Sequence, residues 1–286
     1  GTAVKSLTGN VISGRANTGA LVISGTATTI TGTVGAEALR LLEVSVADAA
    51  DTTFNDVIHS VTLDIDTNAI GEVTTLSKSG HVIGLNEGTA GALQIAGGEL
   101  QLETTVLAGS TIFDLNESVG STAGVLIGAA VNVIPPVNFT SGTITLIDGT
   151  FAATSDAEAV FLDAQDTLLT DFTVTTTGNI DTTITAADKS TAAIAAGVGV
   201  DVNAATALRQ LVDAANAGDS TILADLQAAM VKNSAGTGQK AETKAILEQM
   251  SVQTDQTAGT VSASRAMTGT VQSIVANRMA SLRSGD

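Results

Sequence analysis

The chain has 286 residues, of which 44% are hydrophobic and 2% aromatic, and its formal net charge is −17. It contains no Cys, so disulfide frameworks, zinc–thiolate sites, iron–sulfur clusters and thiol nucleophiles are excluded. The acidic charge argues against nucleic-acid partners and anionic lipid surfaces, whereas the hydrophobic content is ample for a folded core.

Charge divides the chain near residue 200. Residues 1–200 carry five basic and 21 acidic side chains, while residues 201–286 carry seven basic and eight acidic ones. No apolar run reaches the ~20 residues that a membrane-spanning helix needs. The longest, 124–137 (GVLIGAAVNVIPPV), predicts a buried strand followed by a bend at Pro135 and Pro136. The start at Gly1, with neither Met nor a charged leader, predicts that the chain is not a complete translation product.

Short apolar runs separated by Gly, Asn, Asp or Ser fill the first 200 residues and predict strands. Several alternate apolar and polar residues, the two-residue period of a half-buried strand, and they are rich in Val, Ile and Thr. The predicted strands lie within 19–25, 38–46, 60–65, 92–96, 99–106, 110–115 and 142–148. Such closely spaced strands favour a β-solenoid of roughly 20 to 30 residues per coil, with outward threonines in hydroxyl ladders. A β-sandwich is the alternative.

The pattern changes to helices near residue 203. Apolar residues recur at helical spacing in 203–212, and Gly218 is placed to end that helix. Ser220 begins a second predicted helix, and 239–250 forms a third after a loop at 233–238. A last amphipathic helix is predicted at 258–283, with Arg265, Arg278 and Arg283 along it.

This order of elements resembles the carboxy-terminal part of a type V (classical) autotransporter passenger. Residues 28–35 (TTITGTVG), with 38–42 and 53–55, are similar to repeats of rickettsial outer-membrane protein A/B surface antigens. Residues 139–149 with 166–176 resemble the autochaperone segment, and 270–283 (TVQSIVANRMASLR) resembles the helix that threads the family's outer-membrane β-barrel. The family continues into a barrel where this sequence stops at Asp286.

The resemblance implies an all-β fold, a right-handed parallel β-helix (solenoid), followed by a C-terminal α-helical segment. Its parts are a Thr/Gly-rich β-solenoid at 1–138, a terminal autochaperone-like β cap at 139–200, and a helical hairpin with an amphipathic linker helix at 201–286. The implied partners are the chain's own barrel in the precursor and a host or neighbouring-cell surface. The implied location is extracellular, at the bacterial cell surface.

Candidate catalytic or metal-binding residues are few. His59 and His81 are 22 positions apart, so one solenoid coil would bring them to one face, as a metal or acid–base pair or as isolated histidines. Residues 64–68 (DIDTN) open like a calcium loop but lack its later Gly and Glu, which favours solvated carboxylates over Ca²⁺. A further acidic rim consists of Asp163, Asp166 and Asp171. We therefore assign no catalytic, cofactor-binding or metal residue.

The sequence predicts a non-enzymatic structural or adhesive passenger that self-associates into a surface layer or filament by pairing of exposed strand edges. Two alternatives remain open. One is a free-standing extracellular filament subunit. The other is a polysaccharide-active β-helix enzyme, which the scarcity of basic and aromatic residues disfavours.

Overall fold

The structure is a computed structural model that describes residues 5–24, 27–47, 51–65, 73–85, 89–95, 98–116, 123–127, 131–136, 139–153, 162–164, 166–177, 180–216 and 244. The chain divides into two compact units. Unit 1 consists of Gly1–Asp166 and Asp171–Ala187, and unit 2 of Thr167–Thr170 and Asp188–Asp286. The described part is mostly β-strand, in parallel and mixed sheets, with two short helices.

Seven of the described strands form one parallel sheet in unit 1. In spatial order they are β1 (Lys5–Thr8), β3 (Thr28–Thr31), β5 (Thr52–Phe54), β7 (Val73–Leu76), β11 (Glu99–Leu102), β14 (Val131–Ile134) and β16 (Leu162–Ala164). Lys5 lies opposite Thr28, Thr28 opposite Thr52, and Thr52 opposite Thr74, so these neighbours are 22 to 24 residues apart. The spacing then widens, since Glu99 lies opposite Asn132, 33 positions later.

The other strands form a second, mixed sheet. It contains β2 (Ala20–Ile23), β4 (Leu41–Val46), β6 (His59–Ile65), β8 (His81–Leu85), β9 (Thr89–Ala90), β10 (Ala92–Ile95), β12 (Thr111–Asp114), β13 (Ala123–Ile127), β15 (Gly142–Ala153), β17 (Thr170–Thr177) and β18 (Ile180–Asp188).

Two parallel ladders make up most of this second sheet, and β6 and β15 belong to both. One ladder is β2–β4–β6–β10–β13–β15, and the other is β6–β8–β12–β15. The beginning of β6 pairs with β8 and its end pairs with β10. Together with the first sheet, unit 1 therefore contains three parallel ladders. Among the described strands, β8 pairs with β9 and β15 with β18 in antiparallel orientation, and β18 also pairs with β17.

Inward-facing side chains from all three ladders form one continuous hydrophobic core. Phe54, Phe113, Leu63 and Leu93 are completely buried in it. Burial of each such side chain is worth roughly 1.5–3 kcal/mol relative to leaving it in water. Alternation along each strand fixes which residues face this core, so the sequence pattern determines the ladder register.

Each of the seven predicted strand segments contains a strand, but one detail of the sequence interpretation is wrong. Residues 124–137 predict one strand, whereas the structure has two, β13 and β14, in different sheets. Thr52 and Thr74 share the inward side of their strands with core residues and are 1% exposed, so the threonines of this sheet do not all face outward. A hydroxyl and a methyl group on one small branched side chain let threonine serve on either face.

Unit 2 contains two short helices in its described part. Helix α1 (Thr191–Val198) begins at the side chain of Ser190, which accepts a hydrogen bond from the N–H of Ala193, and ends at Gly199 in the left-handed conformation. It lies inside the range 139–200 predicted as a β cap, because its run of small residues lacks a helical apolar pattern.

Helix α2 (Val202–Asn216) agrees with the helix predicted from residue 203 to before Gly218. Beyond Asn216 the structure describes only Lys244, so the later predicted helices lie outside the described residues. Within the described residues no single helix is long and apolar enough to span a membrane, although the bent pair Thr191–Val198 and Val202–Gln210 meets that test jointly.

Candidate functional site

The two histidines lie on neighbouring strands of the second sheet. His59 on β6 pairs in register with Val82 on β8, which places His81 beside Ile58. The histidines therefore lie on neighbouring strands, but the register is offset by one residue and turns their side chains to opposite faces, so the prediction of a shared face is wrong. His81 is completely buried, while His59 is half-buried.

Both ring nitrogens of His81 are engaged by the backbone. Nδ1 lies 3.0 Å from the N–H of Ile58 and accepts its hydrogen bond, and Nε2 donates to the carbonyl of Lys78, also at 3.0 Å. Burial lowers the pKa of His81 to about 4, and its ring packs against Phe113 with centroids 5.7 Å apart. His81 is thus a neutral core residue that completes a strand ladder, and it has no free nitrogen for a metal or a proton transfer.

His59 differs from His81 in its hydrogen bonding and in the charged groups around it. Its Nδ1 atom is buried and has no hydrogen-bond partner among the residues that the structure describes. Burial and the nearby guanidinium of Arg40 lower the pKa of His59, while the carboxylates of Glu37 and Asp56 act in the raising direction. The ring is therefore held neutral beside a cation.

Arg40 is a residue of this site that sequence reasoning missed. It precedes β4 and is 4% exposed. Its Nη1 donates to the carbonyl of Gly84 at 2.8 Å, and its Nε donates to the carbonyl of Glu37 at 3.2 Å. Burial lowers the pKa of Arg40, and the carboxylates of Glu37 and Asp114 oppose that shift. A lone Arg between Leu39 and Leu41 in an acidic segment was the available signal.

Two close backbone contacts hold this region in place. A side chain at Gly35, which has φ +76°, would collide with the carbonyl oxygen of His59. A side chain at Gly91 would collide with the carbonyl oxygen of Val61 and with the backbone of Gly84, the acceptor for Arg40. The backbone segments around His59 and Arg40, which we call the junction, therefore pack in direct contact with one another.

Chemically, this arrangement positions one neutral imidazole beside one guanidinium. Among the described residues no group of three or more His, Asp or Glu side chains is arranged to hold a metal ion. Ser60, the residue after His59, is completely buried on the opposite side of β6, so it does not join His59 as a nucleophile.

The acidic candidates lie apart from this junction. Asp64 lies in β6, and the rest of the predicted calcium loop, residues 66–68, is outside the described residues. Asp166 accepts a hydrogen bond from the N–H of Phe172 at 2.9 Å and thereby closes a turn. Asp171 is exposed at the start of β17, and Asp163 lies in β16.

A cavity of about 280 Å³ lies elsewhere in unit 1, beside the loop between β11 and β12. It is lined by Val106, Leu107, Ala108, Phe139, Thr140 and Ser141. Phe139 stacks on Phe172 with ring centroids 5.7 Å apart, so one wall of the cavity belongs to the core. No charged side chain is among the lining residues.

Comparison with known proteins finds no matching family, no similar curated protein and no similar solved structure. The resemblance to autotransporter passengers therefore stays a prediction.

Proposed function

We propose that this chain is a non-enzymatic structural segment, a parallel β-solenoid that extends a cell-surface protein outward and self-associates through its first coil. The observation that carries the proposal is the three parallel ladders around a single continuous core. In such a stack each coil is supported by its neighbours, which suits a role of spanning distance. The passenger-type surface location, and the barrel partner that goes with it, rest on the sequence resemblance.

The first coil supports self-association. In the described part of the chain no strand pairs with the outer sides of β1 and β2. Leu7 is 41% exposed and Val22 is 61% exposed, whereas Ile30, one strand inward from Leu7, is 1% exposed. The core is thus incompletely covered at the end formed by β1 and β2. Strands from a second copy would cover it and would form hydrogen bonds with the unpaired backbone groups of these two strands.

The observed hydrogen bonds show which backbone N–H groups of β1 point away from β3. The N–H groups of Lys5 and Gly9 donate to the carbonyls of Ala27 and Thr31, on the β3 side. Since alternate N–H groups of a strand point to opposite sides, the N–H of Ser6 points to the open side.

Sedimentation velocity of the purified chain tests the self-association. We expect concentration-dependent oligomers, which Ser6→Pro abolishes because proline removes the outward donor, while the matched Ser6→Ala variant retains them. A chain that is monomeric at every accessible concentration would overturn self-association, and unchanged oligomers in Ser6→Pro would place the interface elsewhere.

The surface location is tested separately in cells that express the native gene. We expect externally added protease to release peptides of this chain from intact cells. Peptides released only after lysis would overturn the surface location and leave the sedimentation result unaffected.

A further inference from the structure

The outer surface of the first sheet carries two rows of polar, uncharged side chains. Ile30, Phe54 and Leu76 point into the core, so the residues on either side of each point outward. We call the resulting surface the hydroxyl face. It consists of Ser6, Thr29, Thr53 and Thr75 in one row and Thr8, Thr31, Asn55 and Ser77 in the other. Thr75 is only 9% exposed, so the accessible part of the first row ends at Thr53.

The two rows form a regular array. Ser6 pairs with Thr29, Thr29 with Thr53, and Thr53 with Thr75, so neighbours within a row are about 4.8 Å apart. The rows are two residues apart along each strand, or about 6.6 Å. Paired residues on neighbouring strands of this region are 22 to 24 positions apart, whereas later coils are longer. The part of the sheet with regular spacing is therefore the part that carries the hydroxyl face.

Hydrogen bonds between neighbouring strands link three side chains of the second row. Asn55 Nδ2 donates to Thr31 Oγ1 at 3.3 Å, and Ser77 Oγ donates to Asn55 Oδ1 at 3.2 Å. The threonines are β-branched and therefore stiff about χ1. Thr29 and Thr53 are half-buried and Thr31 is exposed, so these stiff threonines have little conformational freedom to lose on binding.

The absence of charge on the hydroxyl face narrows the chemical class of partner that the face can bind. None of the eight residues is charged, in a chain with 29 acidic and 12 basic side chains. A neutral face offers no recognition of phosphate or of a metal ion. Binding sites for sugar polymers usually contain aromatic platforms, and the chain has no Trp or Tyr. The second copy of the proposed function pairs with the open edges of β1 and β2 and not with this face.

We propose that the hydroxyl face binds ice. Ice is an uncharged lattice, and its oxygen atoms repeat along two perpendicular axes at distances close to those between and along the strands. Hydroxyl groups at fixed positions hold water molecules on that lattice, and the threonine methyl groups fill the spaces between them. Such ordered waters bridge protein and ice nearly as well as direct hydrogen bonds.

The array also has a defined end. Gln101 on β11 pairs with Thr75, and Glu103 follows two positions later, so a carboxylate interrupts the second row there. The proposed surface therefore spans the four strands β1, β3, β5 and β7.

Ice partitioning of the purified chain tests the proposal. Ice is grown slowly through the solution, and the protein in the ice and in the remaining liquid is measured. We expect the wild-type chain to be enriched in the ice, and Thr53→Lys, at the centre of the face, to be excluded from it. Thr175→Lys, at an exposed threonine on β17, is the matched control and should partition like wild type.

Circular dichroism establishes that each variant is folded, and Thr31→Lys replaces Thr53→Lys if the latter is not. Exclusion of the wild-type chain from ice would overturn the proposal, as would equal loss in Thr175→Lys. Oligomers that Thr53→Lys dissociates in sedimentation would assign the face to a second copy and would likewise overturn it.

Discussion

The guanidinium of Arg40 and the carbonyl of Gly84 form a 2.8 Å hydrogen bond, although the two residues are 44 positions apart in the sequence. Strand β6 lies between them, because Leu41 pairs with Ser60 and Ser60 pairs with Ile83. One side chain thereby joins three consecutive strands of the second sheet. Gly84 has φ +144°, so the acceptor is presented by a backbone conformation that glycine favours.

Arg40→Ala should destabilise the chain. It leaves the buried carbonyl of Gly84 without this donor, and the loss of a hydrogen bond from a charged group at a buried acceptor costs about 2 kcal/mol. Equilibrium urea unfolding measures the change. Arg15→Ala, which removes an exposed guanidinium, is the matched control and should leave the free energy of unfolding nearly unchanged. Equal effects in the two variants would show that the Arg40 contact contributes nothing specific.

Stability should fall as the pH falls below the ordinary pKa of histidine. Burial lowers the pKa of His81 from 6.5 to about 4, so between these values the unfolded chain binds the proton and the folded chain does not. Protons therefore favour unfolding in this window, by up to ~1.4 kcal/mol per pH unit. The free energy of unfolding, measured at a series of pH values, gives the slope.

Paired variants separate the two histidines. His81→Gln should remove most of this slope, even if it lowers stability at every pH. His59→Gln should remove less, since His59 is half-buried and Glu37 and Asp56 favour its charged form. A slope that is unchanged in His81→Gln would contradict the assignment to His81.

Gly35→Ala should be more damaging than Gly80→Ala. Both glycines have φ near +80°, so each substitution has a similar backbone cost of about 1–2 kcal/mol. At Gly35 the new Cβ also collides with the carbonyl oxygen of His59, whereas at Gly80 it meets no atom within 4 Å. Thermal unfolding of the two variants compares them directly. Equal midpoints would mean that β6 moves away from Gly35 without cost.

Engineered cysteines test the register of the first sheet. The chain has no Cys, so introduced pairs have no competing thiols. Thr29→Cys combined with Thr53→Cys places two thiols on paired residues of neighbouring strands, and their ~4.8 Å separation suits a disulfide. Mild oxidation followed by peptide mapping should detect the bond.

Thr29→Cys combined with Thr75→Cys is the matched control for this register. These positions are two strands apart, at ~9.6 Å, beyond the reach of a disulfide. Efficient bonding in the control and not in the test pair would show a different register.

Local patterns explain how much of the fold was predictable. Alternation in residues such as 60–65 predicted β6 because one side of that strand faces the core and the other faces outward. Helix α2 was predicted because its apolar residues recur at helical spacing. Helix α1 was missed because Ala and Gly carry almost no periodic signal, although the Ser190 cap and Gly199 are present in the sequence.

The candidate site was less predictable, because it depends on which strands become neighbours. His59 and His81 were identified by residue type and separation. The distinction between them required the ladder register, which turns the His81 ring toward Phe113 and leaves His59 beside Arg40. The burial of Thr52 and Thr74 has the same origin, since their side of the strand is set by pairing.

The unequal spacing of strand pairs has a consequence for the connections between them. Pairing in the first sheet stays parallel when the connection grows from 22 residues, between Thr52 and Thr74, to 33, between Glu99 and Asn132. Added residues are absorbed between strands, so insertions in this chain do not have to disturb the core. A longer connection between two strands is therefore compatible with parallel pairing on both sides of it.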